Sequence, residues 1–140
     1  LLDPLLIERI RFVKSLSLFC SFISNGSLWD PELSNALILA GLDEVRFSFY
    51  GQTPTVYEKV HRGLSFEKTR KGIYSLLEAR KRLQLGNPTI LIYFLVLDEN
   101  KNMVEDFREE WEPLVDFIEI WKPHPFVQLG PHFFHLYKCV

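Results

Sequence analysis

Four short polar clusters stand out as places where ligand chemistry could sit. They are Ser24-Asn25-Gly26, Ser48-Phe49-Tyr50-Gly51, Leu97-Asp98-Glu99-Asn100 and Trp121-Lys122-Pro123-His124, and each follows an apolar run. Hydroxyls and amides at such positions can hydrogen-bond the hydroxyl or amino groups of a ligand, although Asn-Gly and Tyr-Gly are also ordinary turn chemistry. Ser48 is the most pointed of them. It lies inside an aromatic and apolar run, and a buried hydroxyl without a partner costs on the order of 1–3 kcal/mol. Its partner is either a backbone carbonyl or a bound ligand. Lys122, at a strand end, is a candidate for Schiff-base chemistry, which requires a lysine whose pKa is depressed by burial.

Metal and nucleophile patterns are weak. His124, His132 and His135 fall in a stretch broken by proline, without the spacing of a metal site. Cys20 sits in an apolar run and reads as a small hydrophobe. There is no glycine-rich phosphate loop and no ordered Ser, His and Asp set. The basic run Lys68, Arg70, Lys71, Arg80, Lys81 and Arg82 reads as the solvated face of a helix.

The elements that must position these residues alternate. Leu6, Ile10 and Val13 recur at helical spacing after Pro4. Residues 18–23 form a short apolar run, expected as a buried strand. Asp30-Pro31-Glu32 starts a helix: Asp30 caps free amides, Pro31 suits the first turn and Glu32 complements the dipole. Gly41 ends it. Residues 45–50 make the next strand, 54–60 a short helix and 66–83 a long amphipathic helix stopped by Gly86-Asn87-Pro88. Residues 89–97 read as a strand apolar on both faces. A helix carrying Met103, Val104, Phe107 and Trp111 follows, then a strand over 117–121. Residues 124–140, rich in Pro, His and Phe, have no clear period and read as an irregular tail. The alternation predicts an α/β fold with a parallel sheet covered by helices, and a doubly wound sheet and a barrel both fit. In either, ligands bind outside the carboxyl ends of the strands.

The totals agree with one globular domain. The chain has 140 residues, 47% of them hydrophobic and 24% charged, with a formal net charge of −2. That charge gives no field for nucleic acid or an anionic membrane surface. Two cysteines are too few for a disulfide scaffold and point to a reducing, cytoplasmic setting. No apolar run approaches a bilayer span. The chain opens on Leu1-Leu2-Asp3-Pro4 and its single methionine is Met103, which leads us to expect a segment of a longer protein.

The ordered set Leu1-Leu2-Asp3-Pro4, Ile23-Ser24-Asn25-Gly26-Ser27-Leu28, Ala40-Gly41-Leu42-Asp43-Glu44-Val45-Arg46-Phe47-Ser48 and Val56-Tyr57-Glu58-Lys59-Val60-His61-Arg62-Gly63 resembles the radical S-adenosylmethionine (radical SAM) superfamily. The closest likeness is to the branch with a C-terminal SPASM-type cluster domain. The resemblance implies a partial (β/α)6 TIM-type barrel, here residues 1–123 with the first two strands missing, and a tail leading to a missing C-terminal domain. It implies a [4Fe-4S] cluster held by cysteines upstream of this chain, S-adenosylmethionine as the other cofactor, and an electron donor as partner. Reductive cleavage would yield a 5′-deoxyadenosyl radical that takes hydrogen from a substrate, a peptide or a small metabolite by family habit.

By position, the resemblance places Ile23 and Ser24 near the cofactor and Asn25 at the close of a strand. Ser48 would bond the ribose or methionine part, Leu91 and Tyr93 would face the cofactor, and Trp121 would meet the adenine. Many relatives carry Asp where Tyr50 stands, and some place a polar contact where Leu91 stands. Cys139 is either the first ligand of an auxiliary cluster or an unpaired thiol. Other readings are an aldolase-like barrel enzyme using Ser48 with Lys122 or His124, and a non-catalytic module docking through Phe126, Phe133, Phe134 and Tyr137.

Overall fold

Three helices begin where the sequence supplies a side-chain acceptor for a free amide. Asp30 Oδ1 accepts Leu33 N at 2.7 Å and opens α2 (Pro31–Leu39). Thr53 Oγ1 accepts Val56 N at 3.4 Å ahead of α3 (Pro54–Val60). Ser65 Oγ accepts Lys68 N at 3.4 Å ahead of α4 (Phe66–Leu83). The computed structural model describes residues 3–123; the tail over 124–140 and the expectations attached to it, including Cys139 and the three tail histidines, lie outside the described residues. The remaining helices are α1 (Leu6–Ser15) and α5 (Val104–Trp111), the latter preceded by a 3-10 turn over Lys101–Met103.

The strands are β1 (Ser21–Ser24), β2 (Glu44–Ser48), β3 (Thr89–Leu95) and β4 (Phe117–Trp121). They form one sheet in the order β1-β2-β3-β4, every pair parallel. The α/β class and the parallel sheet are as expected. A doubly wound sheet reverses its strand order and carries helices on both faces; this order does not reverse.

The sheet is covered on one face among the described residues, which corrects the expectation of strands buried on both sides. The reason is alternation along β2. Val45, Phe47 and the following Phe49 are fully buried with Ile90, Ile92 and Phe94 of β3, whereas Glu44, Arg46 and Ser48 turn to the other face and stay half-exposed. Leu37, Ile38, Tyr57, Ile73, Leu76 and Trp111 supply the helical side of this core. Two further boundaries differ. The apolar run over 18–23 does not form a buried strand: β1 starts at Ser21, and Leu18 and Phe19 are 54% and 67% exposed. α4 ends on Gln84, which takes the left-handed conformation at φ 52°, ahead of the Gly-Asn-Pro stop.

Carboxylates tie the strand starts. Asp43, just before β2, accepts Cys20 N at 2.7 Å and Lys14 Nζ at 2.7 and 2.8 Å. Desolvation pushes its carboxyl up, but the Lys14 ammonium and the Cys20 amide outweigh it and hold the group below the usual range. Burial, and then the nearby Asp43 charge, push the Cys20 thiol up, in keeping with an inert side chain. Asp116, just before β4, accepts Ile90 N at 2.7 Å and pairs with Arg80. Three of the basic residues expected on a solvated face of α4 are therefore engaged: Arg80 here, Arg70 with Glu110 at 2.7 Å, and Arg82 with Asn35.

α4 reaches the β1–α2 loop through Gly72. A Cβ there would lie 2.6 Å from Gly26 O and 2.8 Å from Trp29 Cβ. Gly72→Ala should gain about 1 kcal/mol of helix propensity and lose about 1–3 kcal/mol to overpacking. A net fall in the urea midpoint with unchanged slope is the expected outcome; a rise would show that the loop yields freely.

Candidate functional site

The uncovered face of the sheet builds the candidate site, and the register decides which side chains meet there. Ile23, Arg46, Leu91 and Phe117 are register partners across the four strands. One layer nearer the carboxyl ends, Ser48, Tyr93 and Glu119 align, and above them Leu95 aligns with Trp121. A cavity of about 470 Å³ opens over these layers. Its walls are Ile23, Tyr93, Leu95 and Trp121, with Arg46, Ser48, Glu119 and Tyr50 as the polar contributors. It sits at the carboxyl ends of the strands, where parallel α/β sheets bind ligands.

The polar groups have distinct partners. Arg46 Nε donates to Glu44 Oε1 at 2.6 Å and Arg46 Nη1 donates to the Tyr93 hydroxyl, with the guanidinium 5.8 Å from the Tyr93 ring centroid. Trp121 Nε1 donates to Glu119 Oε2 at 2.9 Å, and its indole stands edge-on to Tyr93 at 79° with centroids 5.7 Å apart. Ser48 Oγ makes no hydrogen bond to any described residue. Among the described residues no backbone carbonyl bonds that hydroxyl, which lines the cavity.

Of the residues the sequence pointed to, Ile23, Ser48, Tyr93 and Trp121 come together here. Leu91 is on the same face one layer below, buried to 5% between Arg46 and Phe117. Ser24 and Asn25 do not join them. Ser24 pairs with Phe47 in register, so it faces the helices, and its Oγ accepts Gly26 N at 3.0 Å. Asn25 Oδ1 accepts Ser27 N and Oγ at 3.1 and 2.9 Å. Both border a second cavity of about 490 Å³ beside Ser65 and Lys68. Lys122 is exposed and outside the lining of the first cavity, so the aldolase-like reading gains no desolvated lysine. Among the described residues no group of three or more His, Cys, Asp or Glu side chains is placed to hold a metal ion, and no helix is long and apolar enough to cross a membrane.

No family model matches the chain, and no curated protein matches it in sequence.

Arg46 and Glu119 are the cavity-lining residues that sequence reasoning did not single out. The alternation of Glu44, Arg46 and Ser48 was the available signal for Arg46, and that of Phe117, Glu119 and Trp121 for Glu119. Asn100, from the third polar cluster, is fully buried and knots the rim of the cavity. Its Oδ1 accepts Leu97 N at 2.7 Å, and its Nδ2 donates to Leu95 O at 2.9 Å and Tyr50 O at 3.1 Å. The loop after β2 is also held by Gln52, whose amide donates to Glu110 on α5, itself bound by Arg70. Asn100→Ala strands these buried groups and should cost about 2–3 kcal/mol, read as a lower urea midpoint; a loss below half of that would mean water replaces the amide.

Tyr50 is placed by His61. Tyr50 N donates to His61 Nε2 at 3.4 Å, and the imidazole lies between the Tyr50 and Tyr57 rings at 4.7 and 4.6 Å. Burial pushes the His61 pKa below its ordinary value, so the folded state favours the neutral ring. The unfolded chain then takes up the proton first. Stability should be full above pH about 6.5 and fall as the pH drops from there through the lowered folded value. The Asp43 carboxylate contributes its own loss only in the more acid carboxylate range, so the two are separable. His61→Gln should flatten the stability curve between pH 7 and 5 in urea titrations; an unchanged slope would show that His61 is not the titrating group.

Proposed function

We propose that the chain forms the later part of a radical S-adenosylmethionine barrel, and that its uncovered sheet face cradles S-adenosylmethionine. The observation that carries this reading is the meeting of Ile23, Ser48, Tyr93 and Trp121, assigned to the cofactor by the resemblance, in one cavity at the carboxyl ends of the strands. The sequential strand order with helices against one face is in keeping with an arc of a (β/α) barrel.

The donor set fits the cofactor's organic part and not its iron. An exposed indole at Trp121 offers a face to a purine, Ser48 Oγ, with no partner among the described residues, can bond a ribose or amino acid oxygen, and Ile23 and Leu95 give the cavity an apolar wall. Among the described residues no group of three or more His, Cys, Asp or Glu side chains is placed to hold a metal ion, and the resemblance assigns the iron to cysteines upstream of this chain. When bound and reduced, S-adenosylmethionine supplies a 5′-deoxyadenosyl radical for hydrogen abstraction. The part played by this chain is to bind, orient and shield it. The substrate class, a peptide or a small metabolite, follows from the resemblance alone.

The test uses the complete protein, reconstituted without oxygen with iron and sulfide. Cluster absorbance and release of 5′-deoxyadenosine from S-adenosylmethionine are expected. Trp121→Ala should weaken S-adenosylmethionine binding roughly ten- to hundredfold, and Ser48→Leu should block the cavity. A folded, complete protein that neither holds a cluster nor cleaves S-adenosylmethionine would sink the reading.

A further inference from the structure

The chain after β2 is pinned from two sides as it leaves the sheet. Phe49 N donates to Tyr93 O at 3.1 Å and continues the ladder. At the next residue Tyr50 O accepts Asn100 Nδ2 at 3.1 Å, while Tyr50 N donates to His61 Nε2 at 3.4 Å. Gly51 then passes so close to α3 that a Cβ there would lie 2.9 Å from Tyr57 Cα. His61 stands at the end of α3, and Tyr50 lines the cavity. A titratable ring thus holds one wall of the candidate site through the main chain.

The bond from Tyr50 N requires a bare Nε2, so the neutral ring carries its proton on Nδ1. An imidazolium carries a proton on both nitrogens and accepts nothing. Protonation therefore sets two N–H groups against each other at the Tyr50 amide. The titratable groups facing the ring are the phenols of Tyr50, from the loop after β2, and Tyr57, from α3. Their faces attract a cation, so the imidazolium need not leave its place between them. What fails is the bond to the main chain. The charged side chains of the adjoining segments are engaged elsewhere or exposed. Glu58 accepts Phe66 N at 3.1 Å, Lys59 meets Glu99 at 3.4 Å, Lys101 meets Asp98 at 3.4 Å, and Arg62 is exposed. None of them forms an ion pair with His61 among the described residues, and burial is the cause that lowers its pKa.

Resting on the reading of the cavity as a ligand site, we infer that His61 is a proton-operated latch on its wall: the neutral ring holds Tyr50 in the lining, and the imidazolium lets it go. A ligand packed against Tyr50 favours the latched chain, so ligand and proton oppose one another by linkage. Acid favours the open latch by up to about tenfold for each pH unit below about 6.5, until the latched ring is itself protonated.

Amide hydrogen exchange of the complete protein reads the latch with the cavity empty, each rate being divided by that of an unstructured peptide at the same pH. Protection of the Tyr50 amide should fall at least about fivefold from about pH 7 to about pH 5, while that of Phe49, bonded to Tyr93 O, stays within about twofold. His61→Gln, which keeps an acceptor without the titration, and His61→Phe, which keeps only the ring, should show no such fall, with circular dichroism confirming that they fold. A Tyr50 amide unmoved by acid, falling equally in both variants, or falling only together with Phe49 would overturn the latch. S-adenosylmethionine reads the consequence. Its affinity should drop over the same interval in the wild type, by a factor that His61→Gln removes. Binding with one pH profile in both proteins would overturn the opposition of ligand and proton. No binding at any pH would count against S-adenosylmethionine as the ligand, and the amide result then decides the latch on its own.

Discussion

The register of β2 is the constraint on which the rest depends. Its side chains alternate strictly, with Val45, Phe47 and Phe49 buried against the helices and Glu44, Arg46 and Ser48 on the uncovered face. A slip of one residue would exchange the two sets. Each large apolar side chain so exposed would forfeit about 1.5–3 kcal/mol, and an arginine and a glutamate would enter an apolar layer at a larger cost. No comparable penalty guards β1, a four-residue edge strand without a fully buried side chain. It is held instead through Asp43, whose carboxylate grips Cys20 N while its main-chain N donates to Cys20 O at 3.1 Å.

Because one register serves both faces, the packing that buries Phe47 also sets the ligand face. Ser48 is level with Tyr93 and Glu119 only in the alignment that sends Phe47 under the helices. The smallest side chain in that layer belongs to Ser48, and the room it leaves between Ile23, Tyr93 and Trp121 is the cavity. The shape of the site is thus a consequence of core packing on the opposite side of the same strands, with no loop needed to define its floor.

What could be read from the sequence was local. The start of α2 was legible because Asp30 and the amide it caps are three residues apart; Thr53 and Ser65 cap α3 and α4 in the same way but were not read as caps. The span of α4 was legible from its amphipathic period. The start of β1 was not, because apolarity alone cannot separate a buried strand from an exposed approach such as Leu18 and Phe19. Ile23, Ser48, Tyr93 and Trp121, singled out by the resemblance, line one cavity because the register puts them on one face of the sheet. Ser24 and Asn25, placed near the cofactor by the resemblance, border a different cavity, since neighbouring residues of a strand face opposite ways. The Arg46–Tyr93 and Asn100–Tyr50 bonds span 47 and 50 residues, and no local pattern encodes such pairs.

The two ends of the sheet are held by different chemistry, and the difference bears on function. At the strand starts Asp43 and Asp116 each combine a strand amide with a basic side chain, Lys14 or Arg80. Those carboxylates are spent on structure. At the carboxyl ends the corresponding work falls to Asn100, a neutral amide that satisfies Leu97, Leu95 and Tyr50 without a charge. Fixing the rim with an uncharged side chain satisfies its buried backbone groups and leaves the charges lining the cavity to Arg46 and Glu119, so that the rim's rigidity and the cavity's charges are set by separate residues.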